Sequence, residues 1–241
     1  MLAIILKELR CYTYSSKYRR IQFLILCALA LLLFAATVEF YAHRTSDVGK
    51  QVYTFCIIVL FIAQLWIPRH AVEVLHIDYS VSRRGINDAM LVLSPLANWK
   101  ILAGKLSAVV LWAMWGIWLT IPLFALSSYT GGLAVSKLVK CGAVLLVSCI
   151  FFALIGIGFA LYQPPARAKG ISYGLVLLLT FLPLIPIPLF AAIPILDVVS
   201  PLCALLSILS SDVTHLWLWN IGLFCVLSIL IFPVLMRQMR F

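Results

Sequence analysis

The 241-residue sequence predicts an all-α fold, a polytopic membrane protein with six transmembrane helices. Six apolar stretches of 17–26 residues take up about half of the chain, and none contains a charged residue. About 20 apolar residues in a helix cross the hydrocarbon core, and unpaired backbone cannot face lipid, so helices are the expected spanning elements. The predicted spans are Ile21–Val38, Val52–Pro68, Leu106–Leu126, Cys141–Tyr162, Ile171–Leu196 and Leu216–Met236.

The cations between these spans predict the orientation. If the N-terminus is cytoplasmic, 14 of the 18 Lys and Arg residues lie on the cytoplasmic side. The positive-inside rule therefore predicts that both termini are cytoplasmic, in a plasma or inner membrane. Anchoring to anionic lipids accounts for the net charge of +10, so no nucleic-acid partner is expected.

Residues 1–20 predict a separate basic helix ahead of the first span. Leu2, Ile5 and Leu9 recur at spacings of 3 and 4, which places them on one helical face. A basic amphipathic helix lies in the headgroup plane, so we expect a cytoplasmic elbow helix that packs against the bundle or, more simply, anchors it. The residues of this elbow singled out as functional are Lys7, Glu8 and Arg10.

The fifth predicted span carries an unusual cluster of prolines. Each removes a backbone donor and clashes with the preceding turn, so we expect a broken helix. A short apolar run within Asp197–His215 cannot span, which predicts a re-entrant or interfacial hairpin at the outer face before the last helix. The residues assigned to this outer gate are Pro183, Pro186, Pro188 and Pro194.

The longest polar interval, residues 69–105, predicts a structured cytoplasmic loop. Ile86, Met90 and Leu93 are spaced as one face of a short amphipathic helix, which Ser94-Pro95 ends. A helix with one apolar face is suited to docking in the groove of a cytoplasmic protein.

The segment from Arg84-Gly85 through Ser94-Pro95 and Trp99 to Gly104-Lys105 resembles the signature of ABC-2 type transporter permeases. The resemblance implies one transmembrane domain, residues 21–241, whose loop 69–105 couples to two copies of a separate ABC ATPase. It also implies a second permease chain, as a homodimer or heterodimer, in a prokaryotic membrane. Ser82, Arg83 and Arg84 stand where the family has acidic residues, and Ile86 replaces its threonine. The residues that the resemblance assigns to ATPase coupling are Arg83, Arg84, Gly85, Ile86, Asp88 and Met90.

Two short motifs are similar to sites of enzyme chemistry. Gly104-Lys105-Leu-Ser107 ends like a phosphate-binding loop but lacks its first glycine, so ATP is expected on the partner subunit and no cofactor on this chain. Gly170-Ile-Ser172-Tyr-Gly174 matches the nucleophile elbow of hydrolases, which needs a strand–turn–helix context and a nearby histidine. The chain is therefore not expected to be an enzyme.

The function expected from the resemblance is the membrane-spanning subunit of an ATP-driven exporter. Few polar groups interrupt the predicted spans, which favours a hydrophobic or amphiphilic cargo over a small ion. Gln64, in the second predicted span, is expected to hydrogen-bond a neighbouring helix, with substrate contact as the alternative. Two alternatives stay open: a non-transporting scaffold that anchors an ATPase to a cell-envelope machine, and a haem-export-like permease.

Overall fold

The computed structural model describes residues 2–14, 16–43, 48–82, 98–129, 134–184, 194–210 and 215–238, and the described part of the chain is helical with no strand. The all-α prediction is confirmed over these residues. The helices are α1 (Leu2–Tyr14), α2 (Ser16–His43), α3 (Val48–Gln64), α4 (Ile67–Ser82), α5 (Asn98–Tyr129), α6 (Val135–Tyr162), α7 (Pro165–Phe181), α8 (Pro194–Val199), α9 (Pro201–Ser210) and α10 (Leu216–Gln238), with a 3₁₀ turn at Leu182–Leu184 after α7.

Five segments of the described chain are long and apolar enough to cross a membrane, which is the pattern of an integral membrane protein. The first predicted span, Ile21–Val38, lies within α2 and is not one of the five. The five are Tyr53–Leu75, Trp99–Ile121, Val135–Tyr162, Pro165–Leu184 and Leu216–Gln238. Large apolar side chains such as Trp118 and Ile229 are exposed on the outside of the bundle, as on a surface that faces lipid.

Helix α6 forms the centre of the bundle. It packs against α4, α5, α7, α9 and α10, and its middle is buried on all sides, as expected for a helix that is apolar all round. Phe151 of α6 stacks on Phe224 of α10 with ring centroids 4.5 Å apart. The helix ends at Tyr162 because Gln163 precedes Pro164, and a residue before proline is driven out of the helical region.

The second span is longer than the sequence predicts. Helix α3 continues into α4 through a turn at Leu65 and Trp66, so the apolar segment runs to Leu75 instead of ending at Pro68. The turn has a cause in the backbone. Pro68 has no N–H group to donate to the carbonyl of Gln64, four residues earlier. The N–H groups of Leu65 and Trp66 donate to the carbonyls three residues earlier, those of Ile62 and Ala63.

Helix α4 then lies directly on α6. A Cβ atom on Gly156 would clash with the carbonyl oxygen of Pro68 and come within 2.9 Å of the Cβ of Ala71. Only glycine permits this approach, which is the close packing that a small residue allows between apolar helices. The contact buries Ile67, Ala71 and Val74, although the sequence places the start of a polar loop at residue 69.

The fifth span differs from prediction at both ends. The observed segment begins at Pro165 instead of Ile171 and ends at Leu184 instead of Leu196. Pro165 is the first residue of α7, where the absent N–H group removes no helical hydrogen bond. Pro183 lies in the 3₁₀ turn that follows α7, and Pro194 is the first residue of α8. Pro186 and Pro188 lie outside the described residues.

Candidate functional site

The N-terminal helix docks on the helix that follows the predicted coupling loop. A Cβ atom on Gly104 of α5 would be 3.2 Å from the Cγ2 atom of Ile4, so α1 packs closely on α5 at this glycine. Within residues 2–10 of α1, Ile4 and Glu8, four residues apart, are buried, whereas Lys7 and Arg10 are exposed. The face that packs is therefore rotated from the predicted face, because Leu2 is 72% exposed.

A buried lysine connects three helices at this end of the bundle. The Nζ atom of Lys105 donates a hydrogen bond of 3.0 Å to the carbonyl oxygen of Val74 in α4. It also lies 3.8 Å from Oε1 of Glu8 in α1, and both side chains are at most 6% exposed. Burying opposite charges is tolerable only when they are paired and hydrogen-bonded, so Lys105 holds α1, α4 and α5 together.

A second ion pair joins α4 to α7 at the same end. The Nζ atom of Lys169 donates a 2.8 Å hydrogen bond to Oε1 of Glu73, and these side chains are 28% and 19% exposed. We refer to Glu8, Glu73, Lys105 and Lys169 together as the charged end of the bundle. The Glu73–Lys169 pair attaches α7 to α4, the Lys105–Val74 hydrogen bond attaches α5 to α4, and the Glu8–Lys105 pair attaches α1 to α5. Helix α4 ends at Ser82, directly before residue 83.

The aromatic residues near the turn pack against the polar side chains of α4. The guanidinium carbon of Arg69 lies 5.0 Å from the ring centroid of Trp66, which is within the range of a cation–π contact. His70 is 1% exposed and its ring lies 4.6 Å from that of Trp112 on α5. Arg69 and His70 lie beyond the predicted span Val52–Pro68, and the structure packs both into the observed apolar segment Tyr53–Leu75.

A cavity of about 310 Å³ lies between α3 and α5, next to the turn. It exists because small residues face each other there: Ala63 on α3, and Ala113 and Gly116 on α5. Gln64 lines this cavity and is 4% exposed, and neither its Nε2 nor its Oε1 atom has a hydrogen-bond partner among the described residues. The expected interhelical bond of Gln64 is therefore not observed, at a cost of about 1–3 kcal/mol for each unsatisfied polar group.

The segment before the last helix is attached to the opposite end of the bundle. Ser200 caps α9, because its Oγ atom accepts a hydrogen bond from the backbone N–H of Cys203 at 3.3 Å. The same hydroxyl donates a 2.7 Å bond to the carbonyl of Thr180, in the last turn of α7. The Nδ2 atom of Asn220 donates to the carbonyl of Val198 at 2.7 Å. Two short helices, α8 and α9, are thus fixed between α7 and α10.

The residues that the resemblance assigned to ATPase coupling all fall within 83–97, outside the described residues. The structure describes the two ends of that segment: α4 ends at Ser82 and α5 begins at Asn98. Ser172, of the hydrolase-like motif, lies inside α7 and donates to the carbonyl of Lys169 at 3.4 Å, so it is not in a strand-to-helix turn. The predicted coupling segment is thus flanked by the helices that Lys105 joins.

Sequence reasoning missed the pairing of Glu8 with Lys105 and the burial of His70. One feature of the sequence indicates the pairing: Glu8 is the single acidic residue among the otherwise basic residues 1–20. If its carboxylate is buried, it requires a cation from another helix. Comparison with protein-family models, with curated proteins and with solved structures finds no match to this chain. Any functional conclusion must therefore come from the residues and their contacts.

Proposed function

We propose that this chain is the transmembrane permease subunit of an ATP-driven exporter of the ABC-2 type. Two copies of a separate ATPase subunit would bind on its cytoplasmic side and hydrolyse ATP. The observation that supports this most directly is the position of Gly104 and Lys105, the last residues of the family-like segment. Both contact α1, and Lys105 also contacts α4.

The charged end provides a path for mechanical coupling. A force on residues 83–97 acts on α4 and α5, which flank them, and Lys105 ties both helices to α1. Since α4 packs against α6 without space for a side chain at Gly156, a shift of α4 must also move the centre of the bundle. In this proposal α1 is the elbow helix of the transporter.

The proposed topology has six spans, with α2 as the first. At 28 residues α2 is about 42 Å long, which exceeds the hydrocarbon core. Both termini and the charged end lie in the cytoplasm of a prokaryotic cell, and α8 and α9 form the outer hairpin that closes the transport path. This arrangement accounts for the concentration of Lys and Arg at one end.

The cargo in this proposal is hydrophobic or amphiphilic. Most of the lining of the bundle core is aliphatic or aromatic, and the buried charges of the charged end are paired with each other. A second permease chain completes the pathway, because a single bundle centred on the packed helix α6 offers no route through its own middle.

The experiment is co-purification from the native membrane. The chain with an affinity tag should retain a polypeptide that carries Walker motifs, identified by mass spectrometry. Replacing Ile86 and Met90 together with aspartate should abolish the association, because charge would be presented to an apolar cleft. The matched control places two aspartates at Thr130 and Leu133, which lie between the third and fourth predicted spans on the side opposite the termini, and should co-purify normally. Retention of the ATPase by the Ile86→Asp, Met90→Asp variant would refute the coupling assignment.

A scaffold that anchors an ATPase without transport would pass this test as well. The two are separated by reconstituting the co-purified complex in proteoliposomes and measuring the ATP-dependent transfer of fluorescent amphiphiles across the bilayer. Transfer supports export. Steady ATP turnover with no transfer of any amphiphile tested favours the scaffold.

A further inference from the structure

A cation lies inside the apolar segment Tyr53–Leu75 without a countercharge among the described residues. It is Arg69, six residues before the end of that segment, which is about 9 Å along the helix. The ion pairs that the structure describes, Glu8–Lys105 and Glu73–Lys169, do not include Arg69, and its buried Nε atom has no hydrogen-bond partner among the described residues. A charged side chain at membrane depth normally faces a partner of opposite charge. Arg69 therefore requires an anion that the described part of the chain does not supply.

The side chain of Arg69 is directed back along the helix. Its guanidinium carbon lies 5.0 Å from the ring centroid of Trp66, three residues earlier. Helical side chains lean towards the N-terminus of their helix, and the N-terminus of α4 is the end that follows α3. The guanidinium thus points away from Leu75, the nearer end of the segment, and does not reach water beyond that end by snorkelling.

Two contacts place Arg69 over the seam between α4 and α7. The ring of Trp66 meets that of Tyr173 edge-on with centroids 5.9 Å apart, and Glu73 accepts the 2.8 Å hydrogen bond of Lys169. Trp66, Arg69 and Glu73 follow each other at spacings of 3 and 4, which places them on one side of the helix. Trp66 is 39% exposed, so this seam opens to the outside of the bundle, where lipid lies.

The composition of the seam favours a phosphate group as the anion. Glu73 and Lys169 neutralise each other, so the seam carries the single positive charge of Arg69. A guanidinium offers a planar fork of N–H donors that matches two oxygens of a phosphate, and it stacks well on an aromatic ring. A phosphodiester also stays ionised where desolvation would neutralise a carboxylic acid.

We propose that the seam between α4 and α7 binds the headgroup of an anionic phospholipid, with the phosphate on the guanidinium of Arg69. Basic pockets between membrane helices are suited to such headgroups. A zwitterionic phospholipid fits less well, because its own ammonium group neutralises the phosphate and leaves the charge of Arg69 uncompensated. The acyl chains would lie on the apolar surface that includes Ile62, which is exposed one turn before Trp66. The site is separate from residues 83–97 and does not rest on the proposed function.

The test is native mass spectrometry of the full chain, released from micelles that contain a phosphatidylglycerol and a phosphatidylcholine with the same acyl chains. The wild type should retain one phosphatidylglycerol at about a tenfold lower lipid concentration than phosphatidylcholine, as expected for one charge-assisted contact. Arg69→Gln should abolish this preference. The matched control Arg237→Gln, which removes an exposed cation in the last turn of α10, should keep it.

Thermal unfolding separates lipid binding from a purely structural role of Arg69. With phosphatidylcholine alone, Arg69→Gln should be at least as stable as the wild type, because it removes an uncompensated charge. Added phosphatidylglycerol should raise the unfolding midpoint of the wild type and of Arg237→Gln, but not that of Arg69→Gln. Arg69→Lys should recover part of the lipid preference, since the ammonium keeps the charge and loses the planar fork.

Three results would overturn the proposal. The first is equal retention of the two lipids by the wild type, and the second is an unchanged preference or an unchanged midpoint shift in Arg69→Gln. The third is an equal loss of preference in Arg237→Gln, which would show a general attraction of the anionic lipid to a basic surface with no site at Arg69.

Discussion

Replacing Lys105 with methionine tests whether α1 docks through the buried ion pair. Methionine keeps most of the apolar stem but removes the charge that faces Glu8 at 3.8 Å and the donor to Val74 at 3.0 Å. At that separation two unit charges attract by about 4 kcal/mol with an effective dielectric constant near 20. Leaving Glu8 buried without this partner should therefore cost about 3–5 kcal/mol of unfolding free energy.

The converse variant should cost less. In Glu8→Gln the ammonium of Lys105 keeps its hydrogen bond to the Val74 carbonyl, so we expect a loss of about 1–2 kcal/mol. The assay is equilibrium unfolding in mixed micelles, followed by circular dichroism, for the wild type, both single variants and the double variant. The coupling energy of the cycle should be about 2–3 kcal/mol.

The pair Glu73–Lys169 provides the matched control. Its atoms are closer, at 2.8 Å, but its side chains are 19% and 28% exposed, so solvent screens the attraction and we expect a coupling of about 1 kcal/mol or less. The exposed fraction of the side chains, and not the distance between the charged atoms, therefore determines which ion pair contributes more to the free energy of unfolding. A coupling for Glu8–Lys105 no larger than that for Glu73–Lys169 would refute the docking of α1.

Two further predictions concern the outer hairpin and the topology. Burial raises the pKa of the Cys203 thiol, a hydrogen bond with the Ser200 hydroxyl lowers it in part, and the carboxylate of Asp197 raises it. Because the net effect is a raised pKa, the alkylation rate of Cys203 in a variant without the other cysteines should keep rising with pH beyond the point where glutathione levels off. Asp197→Asn should shift this profile to lower pH, and an unshifted profile would show that the carboxylate does not face the thiol. Reporter fusions after Phe241 and after Gly132 should report opposite sides of the membrane, and agreement between them would contradict the six-span topology.

The sequence predicted three of the five apolar segments closely, and each of these predicted spans lies within a single helix. Leu106–Leu126 lies within α5, Cys141–Tyr162 within α6 and Leu216–Met236 within α10, because length and hydropathy alone determine such helices. It did not predict the continuation of α3 into α4. A charge such as Arg69 normally ends a predicted span, and only the folded structure shows that Arg69 lies over Trp66 and that Glu73 is paired with Lys169.

The candidate site was predicted less well than the helices. Gly104 and Lys105 were singled out as part of a family-like segment, but their contacts with Ile4, Glu8 and Val74 join residues 31 to about 100 positions apart, which no local pattern can reveal. The sequence alone identifies Gln64 as a polar residue within a predicted span. Its lack of a partner depends on the proline turn and on the small residues of α5 opposite it, and therefore on packing.

In the proposed function, this chain converts ATP hydrolysis by a partner into movement of its own helices. The most direct measurement is the ATP turnover of the co-purified complex in nanodiscs, with and without the Lys105→Met substitution. Because Lys105 lies in the bundle, outside the segment 83–97, the variant should still bind the ATPase but its turnover should no longer respond to amphiphiles. If turnover in the wild type is insensitive to every amphiphile, or if Lys105→Met responds as the wild type does, the proposed coupling through the charged end is contradicted.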